Sequence, residues 1–103
     1  MAEFVKVATD EEIPTGTTKA FEIGHHRFVI AHTEDGFFGI ADQCTHDAEP
    51  INDGSLEGNE IVCRRHGAKF NVKTGAVTAP PAIVPLDTFE VKVENNDILI
   101  LLD

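Results

Sequence analysis

This 103-residue chain has no tryptophan and no tyrosine, only two cysteines, and no long apolar run. Seven phenylalanines supply all of its aromatic bulk. The longest apolar stretch, ILILL at 98–102, falls far short of the roughly 20 residues that a membrane-crossing helix needs. The amino-terminal MAEFVKVATDEE lacks a basic segment followed by an apolar one, so signal-directed secretion is not expected. A soluble cytoplasmic protein with reduced thiols is expected instead. Positive charge is scarce: eight basic residues against eighteen acidic ones leave a formal charge of -10. That balance argues against nucleic acid and membrane surfaces as partners, and it suits cationic protein patches or plain solubility. GxSxG, phosphate-loop and dinucleotide-binding motifs are absent, which removes the common enzymatic readings.

What remains is enough for one domain over residues 1–103, with 42% apolar residues spread along the chain. Short alternating runs bounded by turn formers predict an all-β protein, and no window carries a sustained helical period. Strands are expected at 4–8, 18–23, 27–33, 37–41, 68–72, 75–79, 89–95 and 97–103. IPTGT, GHH, EDG, KTG and ENND suit the turns between them. FEVKV and ILILL should form a hairpin through NND. TAPPAIVP at 78–85 should be a stiff loop, because each proline fixes its own φ and restricts the residue before it. The segment from about 42 to 76 has fewer core positions than its flanks and should be a small lobe organised by a metal. The remaining strands should form an antiparallel β-sandwich or partly open barrel beneath it.

Both cysteines carry a nearby histidine. Cys44 and His46 are separated by one residue, Cys63 and His66 by two, and sixteen residues lie between the pairs. Thiolates and imidazoles suit zinc, iron–sulfur clusters and copper. Four readings compete: a 2Fe-2S cluster with mixed ligands, a tetrahedral zinc site, a thiol redox pair, and coincidence. A thiol pair wants adjacent sulfurs, as in CxxC, which is missing. Coincidence would suit one buried cysteine but not a repeated arrangement that uses both. Zinc Cys2His2 sites usually pair cysteine with cysteine, whereas each loop here offers one of each type. The mixed order favours two inequivalent metals. Gly67, directly after His66, suits a positive φ that turns the loop tightly.

CTHDAEPINDGSLEGNEIVCRRHGAKFNVKTGAVTAPPA resembles the Rieske 2Fe-2S motif, and nearly the whole chain is similar to the small Rieske ferredoxins of bacterial multicomponent aromatic-ring-hydroxylating dioxygenases. The resemblance implies a Rieske fold with a cluster-binding lobe on a β base. It also implies one 2Fe-2S cluster, with Cys44 and Cys63 on the inner iron and His46 and His66 on the outer, solvent-facing one. Two ferric ions, two sulfides and two thiolates carry no net charge, against -2 with four thiolates, so this ligation raises the potential relative to plant-type ferredoxins. High-potential respiratory members add a disulfide and two hydroxyl donors beside the cluster. The matching positions here are Glu49, Arg65, Ala68 and Phe70, which predicts a potential near the low end of the Rieske range, roughly -150 mV. A ferric neighbour lowers an imidazole's pKa, so pH dependence of the potential is expected only in the alkaline range.

Other residues invite plainer readings. His25, His26 and His32 lack a cysteine partner and should be structural or superficial. Arg64 and Arg65 would tune the potential, dock an acidic patch or form local ion pairs. Pro80 and Pro81 resemble the family's proline loop beside the cluster. The acidic stretch 47–60 lacks calcium-loop spacing and should be an exposed connector.

The function these readings imply is a monomeric one-electron carrier, not an enzyme, between a flavin-containing ferredoxin reductase and a terminal oxygenase of aromatic catabolism. A terminal oxygenase would itself need a second domain with a 2-His-1-carboxylate iron site. Two alternatives stand beside it: a Rieske small subunit of a larger oxidoreductase such as assimilatory nitrite reductase, and a zinc-stabilised Cys2His2 module that recruits a basic protein.

Overall fold

The computed structural model describes residues 2–43, 50–52, 54–64, 67–80 and 82–102. Within them three antiparallel sheets are built. β1 (Glu3–Thr9), β10 (Val91–Glu94) and β11 (Asp97–Leu102) form one, in the order β1-β11-β10. β2 (Thr17–Ile23), β3 (His26–Thr33), β4 (Gly36–Ala41) and β9 (Thr88–Phe89) form the second, in chain order. β5 (Ser55–Glu57), β6 (Glu60–Val62), β7 (Lys69–Asn71) and β8 (Val77–Ala79) form the third.

The first two sheets enclose a core of Ala8, Ile13, Phe28, Ile30, Ile98, Ile100 and Leu102. This is the expected sandwich base. The NND hairpin also forms as expected: Glu94 pairs with Asp97, and Asn95 and Asn96 take φ 51° and 70°. Two left-handed residues are what a two-residue turn needs to match strand twist, and asparagine tolerates that region better than other side chains.

β3 explains why RFVIAHT shows little alternation. Phe28 and Ile30 point into the base core, whereas Val29 and Ala31 point into a second core on the opposite face. Side chains alternate with a period of two, so a strand buried on both faces reads as a continuous apolar run. The second core joins Val29, Ala31 and Ile40 to Ile51, Ile61, Cys63, Ala68, Phe70, Val72, Ala82 and Leu86. The lobe therefore sits on the outer face of the middle sheet.

Two expectations need correction. The stretch 47–60 is not all connector, because β5 and β6 form a hairpin in which Leu56 pairs with Ile61 and Ile61 is fully buried. Nor is 89–95 one strand. Phe89 pairs with Gly39 in the middle sheet, Val91 pairs with Ile100 in the outer sheet, and the chain changes sheets at Glu90.

Candidate metal centre

The second ligand loop leaves β6 at Val62, and Cys63 follows with 1% of its surface exposed. The Cys63 N–H donates to the Ala68 carbonyl at 2.7 Å, and the Gly67 N–H donates back to the Cys63 carbonyl at 2.9 Å. These two bonds close residues 63–68 on themselves. Gly67 takes φ 75°, as its position after His66 predicts, and an added Cβ would meet open space there. Its requirement is therefore conformational and not steric. The Cys63 side chain belongs to the same buried core as Ala68, Phe70, Ala82 and Leu86, a dry apolar setting with no disulfide partner among the described residues.

The first ligand loop is pinned at its two stems by Asp42. This residue is 7% exposed, and its carboxylate accepts three hydrogen bonds from the far stem. Oδ1 takes the Ile51 and Asn52 N–H groups, both at 3.0 Å, and Oδ2 takes the Asn52 amide Nδ2 at 2.7 Å. Its own N–H donates to the Arg27 carbonyl at 3.1 Å, which ties the loop base to β3. A buried carboxylate is tolerated only when its oxygens are satisfied in this way. Beyond the clasp, the Gly54 N–H donates to the Ile51 carbonyl at 2.9 Å. A Cβ at Gly54 would collide with the Val62 carbonyl oxygen, so the two loops approach each other across a backbone contact that only glycine allows.

Of the four expected ligands, Cys63 is placed in this way, while Cys44, His46 and His66 lie outside the described residues, as do Glu49, Arg65 and Pro81. In sequence, Cys44 and His46 fall inside the span that Asp42 clasps, and His66 falls inside the 63–68 closure. Ala68 and Phe70 are fully buried and offer no hydroxyl. The one expected ligand that is described fits a mixed-ligand cluster: Cys63 is a buried thiol without a disulfide partner among the described residues, in a loop stem closed by backbone hydrogen bonds.

Among the described residues no group of three His, Cys, Asp or Glu side chains is gathered to hold a metal. The remaining histidines match their plain reading. His32 Nδ1 donates to the Ile13 carbonyl at 2.7 Å while its ring stacks on Phe37 at 3.8 Å, a structural role in the base. The His25 and His26 rings lie 4.3 Å apart on the β2–β3 turn. Sequence reasoning missed Asp42, whose partners are nine and ten residues away and leave no local pattern.

Residues 3–90 match the family model described as "Rieske [2Fe-2S] domain". The ferredoxin component of biphenyl 2,3-dioxygenase from Rhodococcus jostii (strain RHA1) is 36% identical over 98 residues, covering 95% of this chain and 92% of the relative. A ferredoxin solved in a complex of reduced oxygenase and oxidised ferredoxin in carbazole 1,9a-dioxygenase superposes with a TM-score of 0.88 at 32% identity, covering 94% of this chain and 91% of that one. The ferredoxin of carbazole 1,9a-dioxygenase from Nocardioides aromaticivorans IC177 gives 0.89 at 29%, covering 94% and 95%.

Proposed function

The chain belongs to the Rieske [2Fe-2S] domain family, and from that membership we propose that it accepts single electrons from a flavin-containing ferredoxin reductase and delivers them to the Rieske centre of a terminal oxygenase acting on aromatic compounds. It carries one Rieske-type 2Fe-2S cluster and is an electron-transfer protein, not an enzyme. Cys44 and Cys63 hold the inner iron, and His46 and His66 the outer one. Residues 42–76 serve as the cluster-binding lobe.

The observation that carries this reading is the buried Cys63 thiol at the mouth of a closed loop, on a lobe set against a β base with a core of its own. When bound, the cluster supplies one reversible one-electron site and no acid–base or nucleophilic chemistry. The chain's residues do the rest. The buried core that Cys63 shares with Ala68, Phe70 and Ala82 keeps water from its thiol. The Asp42 clasp ties the two stems of the first loop together, which should limit rearrangement when charge changes. Ala68 and Phe70 withhold the hydroxyl donors that would favour the reduced state, supporting a potential near roughly -150 mV. A zinc-stabilised module has no support once the family is assigned.

The test is reconstitution with purified reductase and oxygenase. Oxygenase reduction should require this chain, and potentiometric titration should show one electron per chain at a low potential. A chain that purifies only as a fixed subunit of a larger oxidoreductase, such as an assimilatory nitrite reductase, would overturn the shuttle.

A further inference from the structure

Apolar side chains left in water usually sit singly and among polar neighbours, but one loop of this molecule holds two of them up together. Ala82 and Leu86 are 3% and 4% exposed and belong to the same core as Cys63, while Ile83 and Val84 between them are 88% and 53% exposed. The only other exposed large apolar residue among the described ones, Val93, lies on β10 in the base.

The loop is stiff. Pro85 lies within it and Pro80 just before it, each with a fixed φ. The Leu86 N–H donates to the Gly75 carbonyl at 2.8 Å, and the Ala41 N–H donates to the Asp87 carbonyl at 2.9 Å, so its exit is tied to both the lobe and β4. Ile83 is thus displayed by a scaffold whose two inner anchors belong to the same buried core as the Cys63 thiol. A rigid apolar projection loses little freedom on binding, which is what an interface anchor requires.

The rest of the surface indicates what would receive it. The five lysines each sit within 3.4 Å of a carboxylate: Lys6 on Asp97, Lys19 on Glu12, Lys69 on Glu57, Lys73 on Asp35 and Lys92 on Glu94. With that positive charge engaged and a formal charge of -10 overall, the far field is acidic. We propose that the Ile83–Val84 crest is the apolar anchor by which this protein docks on a terminal oxygenase whose electron port is an apolar recess rimmed by lysine and arginine. The proposal rests on the carrier function above and adds the residues that engage the partner and the chemistry of the face they engage.

The test uses the full chain with its cluster. The probe acceptors are the terminal oxygenase of carbazole 1,9a-dioxygenase from Nocardioides aromaticivorans IC177 and, for the wild type alone, cytochrome c. Ile83→Ala should raise the half-saturating oxygenase concentration about tenfold, with cluster spectrum and potential unchanged, and Ile83→Leu should restore it. Added salt should slow association of every variant. An Ile83→Ala protein that saturates like the wild type overturns the crest while leaving the carrier reading intact. A wild type that reduces cytochrome c but not the oxygenase overturns the partner class assigned here. One that reduces neither sinks the carrier reading itself. A wild-type dimer in sedimentation that Ile83→Ala dissociates would place a second copy of the chain on the crest and also overturn the proposal.

Discussion

In the base, the principal strands run six to eight residues and close on a core of Phe28 and five Ile or Leu side chains; in the lobe, every strand is three residues long. Strands that short make few ladder bonds, and small hairpins are marginal in water. The lobe therefore borrows its order from the outer face of β3 and β4 and from the Asp42 clasp, and, on the function proposed above, from a metal that would link its two loops. The base core contains no lobe residue. A base with a core of its own should keep its order when the lobe loses its ligand, and substitution can break or sharpen that difference.

The largest effect should come from Cys63→Ala or His66→Ala. Either should abolish the Rieske spectrum, because one ligand is lost outright. Amide exchange should accelerate at least tenfold in β5–β8 while β2, β3 and β11 keep their protection. Equal acceleration in both regions would mean that the base also depends on the metal.

Next is the base core. Phe28 is fully buried, stacks on Phe21 at 5.5 Å and lies 5.9 Å from Phe89. Phe28→Ala should cost about 3–5 kcal/mol in denaturant unfolding, with the potential of the folded fraction unchanged. A shifted potential would show the two regions to be coupled.

A smaller loss follows at the clasp. Asp42→Ala leaves the Ile51 and Asn52 N–H groups without their acceptor and should cost about 1–3 kcal/mol, read as faster bleaching of the cluster on mild heating. Asp42→Asn can still accept the two backbone bonds but meets the Asn52 amide donor to donor, so its bleaching rate should lie between those of the wild type and the alanine variant.

The smallest effect lies at the seam between the regions. Asp35, on the β3–β4 turn, accepts Asn59 Nδ2 at 2.8 Å and Lys73 Nζ at 3.3 Å from the lobe. The Asn59 amide first, and then Lys73, hold its carboxyl below the ordinary value of 3.8. Glu12 in the base is likewise held below 4.5, chiefly by the Thr9 backbone N–H and then by Lys19. A lowered folded-state pKa stabilises above the unfolded value, and that contribution disappears as the pH falls through the folded one. Both groups are exposed, so solvent screens them and the loss should be slight. Asp35→Asn should remove part of the acid-side slope of lobe stability, and Glu12→Gln part of that of the base; an acid slope unchanged in both would contradict these assignments.

How much was legible in the sequence follows the same division. The base strands announce themselves because they are long and end in turns such as Asn95–Asn96, and because β1, β2 and β11 alternate while β3 reads as one apolar run. SLEGNEIV hides a hairpin because three-residue strands are too short for a period to appear. The alternation in FEVKV runs straight through Glu90, since a chain that changes sheets keeps its pleat. The proposed ligand pairs are visible because their chemistry is local, two or three residues apart. Asp42 and the Ile83 crest were not visible as site features, because a clasp depends on partners across a loop, and an apolar run with prolines reads alike whether buried or displayed.

The most direct measurement is low-temperature electron paramagnetic resonance of the dithionite-reduced protein. Mixed ligation, with one iron held by Cys44 and Cys63 and the other by His46 and His66, predicts a rhombic signal with an average g below that of an all-thiolate cluster. A colourless, silent sample containing one zinc per chain would contradict the account.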